Sequence, residues 1–526
     1  MKRQSVLGGS LLLMASAAAA KLLGAVFRIP LTAMLGGEGM GYFSSAYGLF
    51  LPIFSLSVTG MNTAVAALTA RLLSANEESA AWVLYRKSLR LFSLFGLLGS
   101  LLLFLAAKPL CIRFLHNSGA VLAVQCFAPA VFFCCINAVL RGVWEGRQDM
   151  CPTAFSQFLE SAARLGFGLF LCRFVLTHTN ILPSNHYSQP QIAAAAAILG
   201  VTLSTAAGTL LLCLFRLPKH PDSAPAQTDS RPIMQALLKL LLPISAAALV
   251  TNLTSIVDLA TGMRGLEQMI SRTPSAFSEF SSAEQAANYL YGAFSGMSVT
   301  IFNLIPSMIN MLGKGVLPAF ASNYSAGDAR GMSANAASAL QAAALLAVPS
   351  GLGIFALSAP ILTLLFPSRP AEIAAAAPPL MVLGLAVIPL ALSIPLMSML
   401  QAADAAGQSA FATLLGAIAK LLCNLLLIPR IGLMGMAVST LICYTVILIR
   451  AAVIFRRKTG ISASLSVVCR KPALSGCACA VAAASAYPLL MRYFPQSVSL
   501  LCAVAVGGGV YLLCLWCLRV QLRPAA

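Results

Sequence analysis

Apolar stretches long enough to cross a bilayer recur from one end of this 526-residue chain to the other, and they constrain its fold more than any other feature. A helix needs about 20 apolar residues to span the hydrocarbon layer. Fourteen segments qualify, near 5–29, 42–70, 89–107, 120–141, 152–174, 191–215, 234–258, 286–312, 334–358, 373–401, 408–428, 433–455, 473–491 and 497–518. The expected fold is an all-α polytopic membrane protein with about fourteen transmembrane helices. With 59% hydrophobic and only 9% charged residues, no soluble chain of this length could bury so much apolar surface. The N-terminal MKRQSVLGGSLLLMASAAAA imitates a signal peptide, but the apolar run continues to Phe27 and reads as an uncleaved first helix.

A formal net charge of +19 would suggest nucleic acid in a soluble protein. Here most Lys and Arg fall in short loops and set topology instead. Lys2 and Arg3 share a side with Arg71, Arg86, Lys87, Arg90, Arg141, Arg147, Arg216, Lys219, Arg231 and the Arg456–Lys458 cluster. The opposite side is sparser, with Lys108, Arg113, Arg173, Arg264, Arg272, Arg369, Arg430 and Arg492. The first side is therefore expected in the cytoplasm with both termini, in accord with an even number of spans. The stretch RLPKHPDSAPAQTDSRP reads as a linker. The expected organisation is a six-helix lobe over 1–215, a cytoplasmic linker over 216–233, a second six-helix lobe over 234–458 and an extra helix pair over 459–526.

The two lobes resemble each other. PTAFSQFLESAARL (152–165) aligns without a gap to QSAFATLLGAIAKL (408–421), placing Arg164 on Lys420. AILGVTLSTAAGTL (197–210) is similar to MGMAVSTLICYTVI (434–447), and the stretch from Tyr47 echoes that from Tyr291. Six helices per repeat imply a parallel repeat, an arrangement that places a substrate site between the halves near the midplane.

Lys21 and Arg28 are seven residues apart, on nearly one helical face with Gly24 between them. A cation in the hydrocarbon costs about 2.5–3.5 kcal/mol on insertion scales and is rarely turned towards lipid. Two on one face suggest a water-filled cavity with an anionic visitor. Snorkelling to opposite interfaces is the competing reading, and seven residues cover only about 10 Å of helix. Pro30 is expected to break or kink this helix, with Gly36, Gly37, Gly39 and Gly41 turning the chain into the second one.

K-L-L-G-x-x-x-R-I-P from Lys21, then L-G-G-E-G-M-G-Y-F from Leu35, resembles the first two helices of the stage V sporulation protein B group. YLYGAFSGMSVTIFNLIPSMINMLGKGVLPAFA (289–321) carries the same likeness, as does the repeat between 152–165 and 408–421. The group belongs to the multidrug/oligosaccharidyl-lipid/polysaccharide flippase superfamily, which includes the lipid II flippase. The resemblance implies a MATE-like fold of two lobes around a V-shaped cavity. It also implies alternating-access transport of a lipid-linked oligosaccharide across the bacterial cytoplasmic membrane, with a spore cortex peptidoglycan role in the sporulation branch. Related proteins often carry a further Arg where this chain reads Thr32-Ala33-Met34. The expected partners are that substrate, membrane lipids and cell-wall synthesis proteins; the expected state is a monomer without a cofactor.

Such a substrate carries a pyrophosphate, which cations in a low-dielectric cavity would stabilise. Lys21 and Arg28 are the first candidates to bind it. Arg264, read as a loop charge past the seventh helix, and Lys420 and Arg164 at equivalent repeat positions follow. Glu160 lies four residues before Arg164, so that pair is expected to neutralise itself, whereas Lys420 has no acid at helical spacing. Asp258 could bind a coupling ion or pair with Arg264. Glu145 and Asp404 are expected to be solvated, and Asn62, Asn303, Asn310 and Asn424 to bond between helices or to sugar hydroxyls, the first being commoner.

A multidrug antiporter of the same fold should carry acids in its first helices, where this chain has Glu38 alone, in the turn. A non-transporting assembly partner is the remaining alternative. No nucleophile, metal-ligand spacing or P-loop supports an enzyme. Most cysteines sit in apolar runs as small hydrophobes.

Overall fold

The computed structural model describes residues 6–55, 60–178, 187–215, 230–461 and 465–518, which form helices joined by short connections. Among the described residues, eleven helices are long and apolar enough to cross a membrane. The segment near 152–174 is helical but is not one of them, since Glu160, Arg164 and Arg173 lower its apolarity. The expected linker lies mostly outside the described residues, which resume at Ser230. The chain forms two compact units, Met1–Leu259 and Ala260–Ala526.

In the first unit, α1 (Val6–Phe54) is two helical limbs joined at Gly36. Gly36 has φ 64° and ψ −171°, a conformation nearly closed to residues with a Cβ. Of the glycines expected to turn the chain, Gly36 does so, while Gly37, Gly39 and Gly41 are helical and Pro30 sits inside the first limb without breaking it. A proline inside a helix loses one hydrogen bond, which an apolar setting tolerates when neighbours support the turn. Glu38 consequently lies on the second limb, where its Oε1 accepts a 3.1 Å hydrogen bond from the Tyr42 hydroxyl.

The unit continues with α2 (Met61–Ser74), α3 (Glu78–Pro109), α4 (Val121–Gly146), α5 (Cys151–Thr177) and α6 (Gln189–Leu214); α4, α5 and α6 pack on α1, and α2 and α3 pack on α4. Phe27, Leu31, Phe43 and Phe50 of α1 pack with Phe127 of α4, the Phe50 and Phe127 rings stacking at 4.0 Å. Gly168 of α5 lies under the Phe27 ring, where an added Cβ would come within 2.6 Å of it. The start of α7 (Ser230–Arg272) completes this unit, with Leu237 in the cluster around Leu84 and Phe92.

The second unit begins inside α7 at Ala260. It continues through α8 (Ala283–Ala293), α9 (Val299–Phe302) and α10 (Leu304–Ser325), with a widened turn at Phe294–Ser298 that buries Gly296. Then come α11 (Ala329–Leu365), α12 (Pro370–Ala402), α13 (Ala406–Ile431), α14 (Leu433–Thr459), α15 (Leu465–Leu490) and α16 (Gln496–Cys517). Asp328 caps α11 by accepting from the amides of Arg330 and Gly331 at 3.0 Å. Gly432, at φ 57°, closes the α13–α14 hairpin. The α15–α16 pair packs on α11, where the Tyr511 hydroxyl donates to the Leu345 carbonyl at 3.0 Å.

Candidate functional site

Lys21 is exposed and Arg28 half-buried on the first limb of α1. A Cβ added at Gly24, between them, would meet no atom within 4 Å, so that part of the face is open. Two contacts set the register of α1 against α5. The Ser16 hydroxyl donates to Gln157 Oε1 at 3.5 Å, and Phe27 covers Gly168. The step is the same on both helices, so they run parallel, and Lys21 stands at the height of the turn from Glu160 to Arg164.

That turn holds a buried charge cluster. Arg164 Nη2 lies 3.0 Å from Glu160 Oε1, as the sequence spacing suggests. A second guanidinium, Arg141 of α4, binds the other carboxylate oxygen at 2.9 Å and donates through Nε to Ser156 Oγ at 3.0 Å. Thr205 of α6 donates to Glu160 Oε1 at 3.5 Å. Arg141 is 6% exposed and Glu160 7%. Two guanidiniums on one carboxylate leave a net positive charge inside the first unit. The Nε of Arg164 is buried and has no hydrogen-bond partner.

Arg141, the last residue of the apolar segment 120–141 and counted among the topology charges of one side, is instead buried in the structure. α4 continues to Gly146, burying Arg141 between Leu140 and Gly142. The signal was the apolar run that resumes at Val143 and Trp144. Glu145, expected to be solvated, is half-buried and accepts from Asn62 Nδ2 at 3.2 Å. Asn62 therefore bonds between helices as expected.

In the second unit, Lys420 of α13 is 3% exposed. One turn on, Asn424 donates to Thr261 Oγ1 of α7 at 2.9 Å and accepts from the Ser439 hydroxyl of α14. Arg264 is exposed and sits within α7, not in a loop, because the helix runs on to Arg272. Asp258 is half-buried, also inside α7 but in the first unit.

The repeats differ where α5 carries Glu160. The aligned residue of α13 is Gly416, against which Ile447 of α14 packs, whereas Glu160 packs on Gly208 of α6. The large and small partners have changed helices, so Lys420 has no carboxylate one turn before it. Among the described residues, no group of three or more His, Cys, Asp or Glu could hold a metal ion. The fifteen cysteines are free thiols.

A sequence profile described as Lipid II flippase MurJ matches residues 41–504, a stretch that starts after Lys21 and Arg28. Stage V sporulation protein B of Bacillus subtilis (strain 168) is 23% identical over 455 residues, covering 84% of this chain and 81% of its own length. The solved inward closed conformation of the lipid II flippase MurJ superposes with a TM-score of 0.70 at 15% identity, over 99% of this chain and 100% of that one. An inward-facing MATE multidrug resistance transporter of the MOP superfamily superposes with a TM-score of 0.66 at 15% identity, over 84% of this chain and 94% of that one. The all-helical, MATE-like fold expected from sequence is thus the one observed, and its family and fold are those of transporters, not enzymes. The chain belongs to the MurJ lipid II flippase family of multi-pass membrane proteins.

Proposed function

We propose that the chain moves a lipid-linked oligosaccharide, a polyprenyl-pyrophosphate cell-wall or polysaccharide precursor, across the bacterial cytoplasmic membrane by alternating access. The observation that carries this reading is the sign of the charge on the first unit's helices. At the height of Lys21, Arg141 and Arg164 share the single carboxylate of Glu160, and Arg28 lies two turns further along α1. An anionic group would be stabilised there. An organic cation would be repelled, which counts against a multidrug antiporter. Membership of the MurJ family supports the same substrate class.

In this reading Lys21 and Arg28 take the pyrophosphate first, with Arg164, Arg264 and Lys420 as further contacts. Arg164 holds Glu160 with one Nη and retains an unpartnered Nε. Asp258 is the candidate for a coupling cation or proton. The chain works as a monomer of fourteen crossings with both termini in the cytoplasm, organised as lobes 1–215 and 234–458 around the linker 216–233, with the helix pair 459–526 added. Spore cortex peptidoglycan synthesis, beside cell-wall synthesis proteins, is the specific role that likeness to the sporulation protein supports.

The test is complementation of a flippase-deficient strain with variants of Arg28, membrane levels being checked by immunoblot. Losing one charge-assisted contact weakens an anion by roughly ten- to a hundred-fold. Arg28→Ala is therefore expected to be inactive and Lys21→Ala impaired. Arg28→Lys, which keeps the charge but not the two-pronged grip, is expected to be partly active. Arg28→Glu should be the worst of the set. A fully active Arg28→Glu protein would overturn the proposal.

A further inference from the structure

At the end away from Gly432, the α13–α14 hairpin opens into a cleft of about 420 Å³. Gly407, Gln408 and Phe411 line it from the start of α13, and Arg450, Arg457 and Lys458 from the end of α14. Three cations thus face one cleft, and no acid is among the described residues that line it. Arg450 lies over the Phe411 ring, 5.7 Å from its centroid. Its Nε is buried and has no hydrogen-bond partner. The α13 N-terminus adds to the positive field, because Ala405 at the N-cap offers no side-chain acceptor to the first amides. A Cβ at Gly407 would meet nothing within 4 Å, so the approach to those amides is open.

We propose that this cleft binds a phosphate group, supplied by the headgroup of an anionic phospholipid. The guanidinium fork of Arg450 would grip two phosphate oxygens, and Arg457, Lys458 and the first amides of α13 would complete the shell. A lipid is favoured over a free anion by the surface that continues from the cleft. Phe411, Leu414, Ile418, Leu422 and Leu425 are all exposed, and their spacing puts them on one face of α13. An acyl chain would lie along that stripe while the headgroup sits among the cations. The cleft belongs wholly to the second unit and does not depend on the translocation reading.

The full-length protein, delipidated in neutral detergent, would be titrated with phosphatidylglycerol, phosphatidylcholine and inorganic phosphate. Retained ligand would be counted by native mass spectrometry, and thermal unfolding would confirm that each variant is folded. The wild type is expected to hold phosphatidylglycerol in preference to phosphatidylcholine. Arg450→Gln should weaken it about ten-fold, and Arg450→Lys less. Combining Arg450→Gln with Arg457→Gln and Lys458→Gln should weaken it roughly a hundred-fold. Arg456→Gln, an exposed cation outside the cleft, should change binding by less than about two-fold. Inorganic phosphate that binds alone and displaces the lipid would overturn the lipid source and leave a soluble phosphate in its place. Equal retention by wild type and triple variant, or equal weakening by Arg456→Gln, would overturn the site itself.

Discussion

Glu160 is the residue on which the interior of the first unit turns, since two guanidiniums from different helices depend on its one carboxylate. Removing one member of a buried ion pair costs about 3–5 kcal/mol, because the partner is left charged and unsolvated. Glu160→Gln should therefore lower the thermal unfolding midpoint of the purified protein clearly. Adding Arg141→Met, which removes the more buried cation, should recover part of the loss. An unchanged midpoint in Glu160→Gln would mean that the cluster is solvated. Half of this cluster was legible in the sequence. The step from Glu160 to Arg164 is one helical turn, a local relation that spacing reveals. The bond to Arg141 crosses from α4 to α5, and no local spacing encodes it. Counting Arg141 as a topology signal hid it further, because a cation near a helix end looks the same whether it faces water or a carboxylate.

Among the elements, α1 shows how proline and glycine divide their work. Both residue types read as breakers, Pro30 because proline removes a donor and Gly36, Gly37, Gly39 and Gly41 as a turn. Pro30 stays inside the helix and the turn narrows to Gly36, since positive φ with extended ψ is nearly closed to any residue but glycine. Gly36→Ala should cost about 1–3 kcal/mol and lower the unfolding midpoint, whereas Gly24→Ala, at a helical position where a Cβ meets nothing within 4 Å, should not. Equal effects of the two would place the bend elsewhere. Close approach makes a second demand: Gly168→Val would drive a methyl into the Phe27 ring. That variant should separate α1 from α5 and be partly rescued by Phe27→Ala. Arg264 teaches the opposite lesson. Its polar neighbours looked like a loop, yet α7 runs past it, because good helix formers such as Leu266, Glu267, Gln268 and Met269 extend the helix beyond its apolar part.

For the molecule as a whole, apolar runs revealed the helical membrane fold, because lipid thickness sets their length. The division into compact units was harder to see. Composition marks a linker before Ser230, but packing cuts the chain between Leu259 and Ala260, inside α7. Leu237 and Leu259 pack with the first unit, and hydropathy does not say which neighbour an apolar residue will meet. The charge distribution makes its own demand: the proposed orientation, with both termini cytoplasmic, requires that a cysteine introduced at Asn185 react with an impermeant thiol reagent in intact cells and that one at Ser223 not react. The background should lack the exposed native thiols Cys213, Cys477 and Cys517. The reverse pattern would invert the orientation. The central claim, transport of an anionic lipid-linked precursor, is tested most directly by depletion. Polyprenyl-pyrophosphate saccharides would be quantified by mass spectrometry on each face of the membrane as the protein is withdrawn. The account predicts that one such precursor accumulates on the cytoplasmic face and falls on the outer one. An unchanged distribution, with export of an organic cation lost instead, would contradict it.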